Sequence, residues 1–290
     1  MTRQQQVQGI TREHTTWQVD RSTRVSGGEP PSRMPVAFIG HGSPQNALGG
    51  NRYTDAWRVF GARYRPRAIL LISAHWYVSG TRVTASARPR TNHDFISFKG
   101  PVSSFEYPAP GSPELARRVR DLLAPVPVAL DEAWGFDHGA WNVLANLSPQ
   151  ADVPVVELSL DRTQPPAFHY ELAARLAPLR DEGVLILGSG NVIHNQEIGR
   201  NPNPWPAEPT GWEQRFHADL HKRLDRGDHA GLIAYDKLGR DAQLAIPTPD
   251  HYLPFLSVLG LQRSDEKPAI LIDGEGKGVN GLGMLSIALG

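Results

Sequence analysis

Short, continuously apolar runs alternate with amphipathic stretches along the chain from Met34 onward. Apolar runs of four to eight residues that lack polar alternation are typical of strands buried on both faces of a sheet. We interpret six of them as strands, namely Val36–Ile39, Ala68–Ser73, Val153–Leu158, Val184–Leu187, Ala269–Ile272 and Met284–Leu289. The pattern therefore predicts a sheet that is covered on both sides.

Stretches with helical periodicity separate these strands. We predict helices over Tyr53–Tyr64, Pro113–Leu123, Gly139–Leu147, Pro166–Leu179 and Gly211–Asp225. Ser112 precedes the second helix as a natural N-cap, and Gly227 follows the last helix as a natural stop. Alternating strands and helices favour an α/β fold. We expect a single domain with a largely parallel central sheet flanked by helices, and an active site at the carboxyl edge of the strands.

The first 33 residues differ from the rest, because they are rich in Gln, Thr and Arg and contain only scattered apolar positions. We interpret residues 1–33 as a poorly ordered N-terminal extension and residues 34–290 as the folded domain. Two proline-rich stretches, Pro101–Pro113 and Asn201–Pro209, are too long for simple turns. Loops of this length are commonly walls or lids of functional sites.

Composition and charge exclude several classes of protein. Of the 290 residues, 40% are hydrophobic, which is enough to build a core. The 30 basic residues balance the 30 acidic ones, so nothing favours a nucleic acid or an anionic membrane as partner. The absence of cysteine excludes disulfides, thiolate zinc sites and iron–sulfur clusters. No apolar run approaches the roughly 20 residues that span a bilayer, and we predict a cytoplasmic protein.

Histidines provide the candidate chemistry. Three of the 11 histidines come just after predicted strands, and these are His41, His75 and His194. The carboxyl ends of parallel strands share one edge of the sheet, so these side chains are expected to converge. His138 and His251 lie in similar segments, each between an aspartate and a short turn-like stretch. Another pair, His217 and His221, could share a metal on one face of a helix, but the charged residues around it favour a solvated face.

A cluster of neutral imidazoles suits zinc, iron, copper or nickel, and three protein ligands with open positions would form a catalytic site. A zinc hydrolase and a ferrous oxygenase both remain compatible with this pattern. The aromatic residues near the histidines favour a flat aromatic substrate, although they could equally be ordinary core. They are Trp76, Trp134, Phe136, Trp141 and Tyr252.

Six motifs occur in a fixed order from about Met34 to the C-terminus. They are Gly40-His41-Gly42-Ser43-Pro44, Ser73-Ala74-His75-Trp76, Tyr107-Pro108-Ala109-Pro110-Gly111, Trp134-Gly135-Phe136-Asp137-His138-Gly139, Gly190-Asn191-Val192-Ile193-His194-Asn195 and Thr248-Pro249-Asp250-His251-Tyr252-Leu253-Pro254. Together they closely resemble the 4,5-DOPA extradiol dioxygenase family, which belongs to the class III (subunit-B type) extradiol ring-cleavage dioxygenases. Residues 34–290 would then be the catalytic domain.

This resemblance implies an enzyme that opens the ring of a catechol such as DOPA with O₂ on a single non-haem Fe(II). By the match, His41, His75 and His251 are metal ligands, and His194 handles a substrate proton but can also close on the metal in resting, zinc-bound forms. His138 is implied as a further catalytic residue beside the substrate. Zinc is a possible metal on isolation.

Residues adjacent to these histidines are candidates for substrate contacts and for orienting the rings. We assign substrate contacts to Trp76, Trp141 and Tyr252, which flank the histidines. Asp137 and Asp250 are candidates for orienting the adjacent imidazoles by hydrogen bonds.

One segment departs from the family pattern. The family commonly has Gly-Gly after its His-Asp-Phe, whereas here His93-Asp94-Phe95 is followed by Ile96-Ser97-Phe98. We expect this segment to line the mouth of the substrate site, so the identity of the substrate is less defined than the reaction. A zinc-dependent hydrolase and a non-catalytic metal-binding protein on the same fold stay open as alternatives.

Overall fold

The structure, a computed structural model, describes residues 33–95, 99–195, 211–274 and 282–290. The extension predicted over residues 1–33 lies outside this part of the chain except for Arg33, which forms a 3.0 Å ion pair with Asp265. The loop predicted over Asn201–Pro209 also lies outside the described residues. The division at residue 34 therefore stays a prediction.

Eight strands form one sheet in the described residues. They are β1 Val36–Gly40, β2 Ala68–Val78, β3 Thr81–Thr84, β4 Val128–Asp131, β5 Val155–Asp161, β6 Val184–Gly190, β7 Ala269–Ile272 and β8 Ser286–Leu289. Their order is β4-β3-β5-β2-β6-β1-β8-β7. The central strands β5, β2, β6 and β1 are parallel, whereas β3 pairs antiparallel with β5, and β8 with both β1 and β7. The sheet is thus mixed, with the predicted parallel arrangement at its centre.

Helices cover both faces of this sheet. They are α1 Arg52–Ala62, α2 Pro113–Leu123, α3 His138–Leu147, α4 Pro166–Ala174, α5 Pro178–Asp181, α6 Trp212–Arg226, α7 His229–Ile233, α8 Arg240–Ala245 and α9 Leu253–Gly260, with 3₁₀ turns at Pro44–Ala47, Pro101–Ser104 and Tyr235–Lys237. The prediction of one helix over 166–179 was wrong. Two helices occupy that stretch, and the second begins at Pro178, because proline lacks the N–H that a continuous helix needs.

The core lies on both sides of the sheet because successive residues of each strand point to opposite faces. Phe38 and Leu70 belong to the hydrophobic cluster beneath α4 and α9. Ile39 and Leu71 belong to the cluster on the other face, which α1 and α3 cover. All four side chains are fully buried, and each contributes roughly 1.5–3 kcal/mol of burial free energy. The prediction of a sheet flanked by helices is confirmed.

The adjacent strands β2, β6 and β1 run in the same direction and bring their carboxyl ends to one edge of the sheet. β2 is longer than the sequence predicted, and its pairing with β5 shifts register between Ile72 and Tyr77. His75 therefore lies inside an irregular part of a strand, where a bulge can redirect a side chain. Across the described residues, no helix combines the length and the apolar character that crossing a bilayer requires.

Candidate active site

Five histidine rings meet at this edge of the sheet. The Nε2 atoms of His41 and His75 are 3.2 Å apart. The ring of His251 lies 4.8 Å from that of His75 and 5.4 Å from that of His41, between centroids. His138 packs on His75 with 3.6 Å between ring centroids, and His194 stacks on His251 at 3.4 Å. The structure thus brings together all five histidines that the sequence singled out.

Backbone contacts at the ends of β1 and β6 place two of these rings. The N–H of His41 donates to the carbonyl of Gly190, the last residue of β6. The carbonyl of His251 accepts from the N–H of Asn191, just beyond that strand. A Cβ atom on Gly190 would lie 2.2 Å from the carbonyl oxygen of His251, so no larger residue fits there. Gly190 is therefore required for this approach.

The N-terminus of α3 places His138. Asp137 caps the helix, and its side chain accepts from the N–H of Ala140 at 3.1 Å. His138 is consequently the first residue of the helix, facing the cluster. A Cβ atom on Gly139 would come within 2.5 Å of the Ser73 hydroxyl and 3.0 Å of the His75 ring. Glycine at this position lets the helix end approach β2 closely.

Three of the histidines have the separations of a metal site. His41, His75 and His251 each offer a ring nitrogen, and these nitrogens lie within 4.8 Å of one another. Ligand atoms about 2.0–2.1 Å from a tetrahedral ion are about 3.3 Å apart, close to the 3.2 Å between His41 and His75. His194 belongs to a second, overlapping group with Asp250 and His251. The three nitrogens fit a metal that keeps open positions, which is the pattern of catalytic sites.

Hydrogen bonds to the Nδ1 atoms define which nitrogens are free. The hydroxyl of Ser189 donates to the Gly139 carbonyl at 2.6 Å, so its oxygen accepts from Nδ1–H of His41 at 2.9 Å. A carboxylate oxygen of Asp250 accepts from Nδ1–H of His251 at 2.5 Å. These bonds leave a lone pair on Nε2 of both rings. The expectation that Asp250 orients His251 is confirmed.

Burial favours the uncharged form of four of the five histidines. Burial, and then the neighbouring imidazoles, lowers the pKa of His41 and His75 well below the ordinary value. The same causes lower the pKa of His194 to about 3. Burial also lowers the pKa of His251, in spite of its bond to Asp250. Neutral imidazole is the form that binds metals, so His41, His75 and His251 are in the form that can bind a cation at neutral pH.

Asp94, rather than Asp137, orients His138. One carboxylate oxygen of Asp94 accepts from Nδ1–H of His138 and the other from its backbone N–H, both at 2.8 Å. Burial alone would raise the pKa of Asp94, but the hydrogen bonds from His138 outweigh it and lower the pKa. Asp94 is also 3.5 Å from Nδ1 of His75. The sequence analysis missed this role, although the His-Asp-Phe segment that it singled out contains the residue.

Asp137 belongs instead to a buried acidic pair beneath the site. Its side chain accepts from the Ser73 hydroxyl at 2.7 Å, and its N–H donates to Glu157 at 3.2 Å. Burial, and then the charge of Asp94, raises the pKa of Asp137 to about 7. Burial and the neighbouring Asp137 raise the pKa of Glu157 well above its ordinary value. The expectation that Asp137 orients His138 was wrong, because its carboxylate accepts from Ser73 and from the N–H of Ala140, while Asp94 bonds to the ring.

The aromatic residues assigned to the substrate lie in different places. Trp141 is beside the cluster, with 6.4 Å between its ring and that of His138, and its indole N–H donates to the Asn92 carbonyl. Trp76 is fully buried and stacks on Trp134 with 5.3 Å between centroids.

Tyr252 is also buried in the core. Its ring contacts Tyr235 and Phe255, and its hydroxyl donates to the Leu232 carbonyl at 3.1 Å. These placements do not support substrate contacts for Trp76 and Tyr252. Phe95 belongs to the segment that the sequence analysis expected at the mouth of the site, and its ring lies 5.6 Å from that of His138. The rest of that segment, residues 96–98, lies outside the described residues.

A histidine cluster with open metal positions at the carboxyl edge of an α/β sheet is the architecture of a non-haem metal enzyme. Comparison with known proteins narrows this class. Residues 38–279 match the family described as the catalytic LigB subunit of aromatic ring-opening dioxygenase. The chain belongs to the LigB family, and it is an extradiol ring-cleavage dioxygenase.

Named relatives and a solved structure agree with this membership. The chain is 45% identical over 266 residues to 4,5-DOPA dioxygenase extradiol of Escherichia coli (strain K12), covering 89% of this chain and 96% of the relative. Identity to 4,5-DOPA dioxygenase extradiol of Beta vulgaris is 36% over 241 residues, covering 81% and 89% respectively. The crystal structure of the uncharacterized protein JW3007 from Escherichia coli K12 superposes with a TM-score of 0.75 at 41% identity, covering 89% of this chain and all of that chain (100%). Neither a hydrolase nor a non-catalytic binding protein is favoured.

Proposed function

We propose that the protein opens the ring of a DOPA-like catechol beside its two hydroxyls, using O₂ and a non-haem Fe(II) held by His41, His75 and His251. The observation that carries this proposal is the group of three converging imidazole nitrogens. Membership in the LigB family and the names of the relatives support the substrate class.

Iron(II) suits this donor set. Imidazole nitrogens bind iron and zinc well, and there is no cysteine in the chain to favour a purely structural zinc site. When bound, the iron would supply the Lewis acidity and redox chemistry that bring a catechol and O₂ to reaction. Zinc binds nitrogen ligands more tightly than Fe(II), so zinc is a plausible metal on isolation. In that resting form His194 would act as an additional ligand.

His194 and His138 are the proposed catalytic residues for proton transfer. A neutral imidazole beside the bound diol can accept the proton of a hydroxyl. The pKa of His194 is low because of burial and its neighbours, and a catecholate anion next to the ring would raise it again. For His138, the bond from Nδ1 to Asp94 leaves Nε2 free to accept a hydrogen bond from the substrate. One of these bases thus lies beside His75 and the other beside His251.

Trp141 and Phe95 are the proposed aromatic wall of the substrate site. Their rings lie 5.9 Å apart, and both are near His138. Flat aromatic faces pack well against a catechol ring, which supports an aromatic small molecule and O₂ as the reactants. We do not include Trp76 and Tyr252 in this wall. The ring of Trp76 stacks on Trp134, and that of Tyr252 contacts Tyr235 and Phe255, whereas Trp141, although also buried, contacts His138. A cytoplasmic location, without nucleic acid or membrane partners, stays part of the proposal.

Metal exchange under controlled oxygen tests this function. The protein is stripped of metal, loaded with Fe(II) or with Zn(II) under argon, and then given L-DOPA. The proposal predicts that ring-opened product appears only with Fe(II) and only after O₂ is admitted. Product formation by the zinc form, or under argon, would contradict it and favour a hydrolase.

A further inference from the structure

A second cluster of metal-binding side chains lies away from the five histidines. His217 and His221 are four residues apart on α6 and therefore share one face of the helix. Asp273 follows the end of β7 and reaches both rings, with 2.6 Å from its Oδ1 to Nε2 of His217 and 3.1 Å from its Oδ2 to Nε2 of His221. The two Nε2 atoms are 3.3 Å apart. Three side chains of two ligand types that bind transition metals, imidazole and carboxylate, thus converge on one point.

The position of the cluster in the fold separates it from the active site. β7 runs in the same direction as β1, because β8 is antiparallel to both. Asp273 therefore emerges at the carboxyl edge, but on the outermost strand of the sheet. None of the three residues belongs to the groups formed by the five histidines.

The three side chains of the cluster are partly buried. Along α6, Phe216 and Leu220 point into the core, and His217 and His221 follow them on the edge of that buried face. The side chains of His217, His221 and Asp273 are 13%, 24% and 35% exposed. The rings are held by their surroundings, yet an ion can reach them from solvent. The expectation of a solvated face for the two histidines was therefore wrong.

The two arginines near these histidines pair with carboxylates outside the cluster. Arg223 donates to Asp219 at 2.8 Å and also pairs with Asp228. Arg215 pairs with Asp241 through two hydrogen bonds of 2.7 and 2.8 Å. Carboxylates accordingly offset the charge that these arginines would otherwise place near a cation.

We propose that His217, His221 and Asp273 form a second metal site that takes Zn²⁺ or a similar borderline divalent cation. Two imidazoles and one carboxylate favour zinc over magnesium or calcium, which prefer oxygen ligands. The separations of 3.1 and 3.3 Å are close to the roughly 3.3 Å between ligands of a tetrahedral ion. The 2.6 Å between His217 and Asp273 would have to widen by less than about 1 Å to admit the ion. The ion would link α6 to the end of β7, with water completing its coordination. This inference does not depend on the proposed ring-opening function.

Zinc stoichiometry of the full chain tests the proposal. Metal-free protein is titrated with Zn²⁺ at about pH 7.5, where imidazole is neutral, and bound metal is measured by equilibrium dialysis. We expect two zinc ions per chain for the parent and one for the double variant His217→Gln/His221→Gln. The nearly isosteric Asp273→Asn should weaken only the second ion, by about tenfold or more. His229→Gln is the matched control, because that ring bonds to the Tyr170 hydroxyl and should leave two ions bound.

The number of bound ions distinguishes which of the two proposed metal sites is absent. If the parent binds one ion and the double variant still binds one, the second site does not exist, and the contacts of the two histidines with Asp273 are structural only. Two ions in both proteins would also overturn the proposal. If instead the parent binds one ion and the double variant none, the second site is supported and the His41 site is the one in error. Asp273→Asn keeps the test valid should the double variant not fold.

Discussion

Ser189 allows a test of how hydrogen bonds hold the proposed metal ligand His41 in the tautomer that binds metal. Its hydroxyl is completely buried and makes two hydrogen bonds, donating to the Gly139 carbonyl at 2.6 Å and accepting from Nδ1–H of His41 at 2.9 Å. Ser189→Ala removes both bonds without adding bulk. His41 would then lose the partner that keeps its proton on Nδ1 and its lone pair on Nε2.

Two separate effects are expected from Ser189→Ala. Leaving a buried carbonyl and a buried N–H without their partner costs about 1–3 kcal/mol of unfolding free energy. Removing the hydrogen bond behind a metal ligand weakens metal binding by about 10–100-fold. That loss corresponds to about 1.4–2.7 kcal/mol of binding free energy.

Ser159→Ala is the matched control. Ser159 is also buried, on the nearby strand β5, and its hydroxyl accepts from the N–H of Arg82 at 2.8 Å, with no imidazole partner. Metal affinity is measured by competition with a coloured chelator, and stability by urea unfolding of the metal-free proteins. Both variants should lose stability, and only Ser189→Ala should lose metal affinity. Parent-like affinity in a destabilised Ser189→Ala would refute the argument about the His41 tautomer.

Further predictions concern proton transfer, metal retention and pH. Asp94→Asn should lower kcat by about 10–100-fold because it removes the carboxylate that holds His138, and an unchanged kcat would rule out that role. His41→Ala should lose metal and turnover together, whereas His194→Ala should keep metal and lose about 10²–10⁴-fold in turnover, as metal analysis and oxygen uptake would show. Burial lowers the pKa of His169 to about 4. Its neutral form stabilises the fold fully above the unfolded pKa of about 6.5, and up to about 3 kcal/mol is lost as pH falls from there to about 4. His169→Gln should flatten that part of the profile of unfolding free energy against pH, and an unchanged slope would contradict it.

The central strands could be predicted because they are buried on both faces and therefore consist of uninterrupted apolar residues. β3 and β4 could not, since Thr81–Thr84 and Val128–Asp131 are short and mix polar with apolar positions. The helix α9 could not be predicted either, for the opposite reason. Almost every residue of Leu253–Gly260 is buried, so the helix has no polar face to reveal its period.

The convergence of the histidines followed from topology, but the partners of their rings did not. Neighbours in sequence suggested both Asp137 and Asp250, yet only Asp250 bonds to the ring beside it. Asp94 reaches His138 from a position 44 residues away in sequence. Tyr252 directly follows His251 and still lies in the core. Which way a side chain points at a strand or helix end depends on packing that a single sequence does not display.

Oxygen uptake with matched substrates tests most directly the claim that the His41, His75 and His251 site opens a catechol ring. Extradiol cleavage requires two adjacent hydroxyls on one metal while a position stays open for O₂. The Fe(II)-loaded protein should therefore consume one O₂ for each L-DOPA converted, and none with tyrosine, which lacks one hydroxyl. His41→Ala should show no uptake with either substrate. Equal uptake with L-DOPA and tyrosine, or full activity in His41→Ala, would contradict the account.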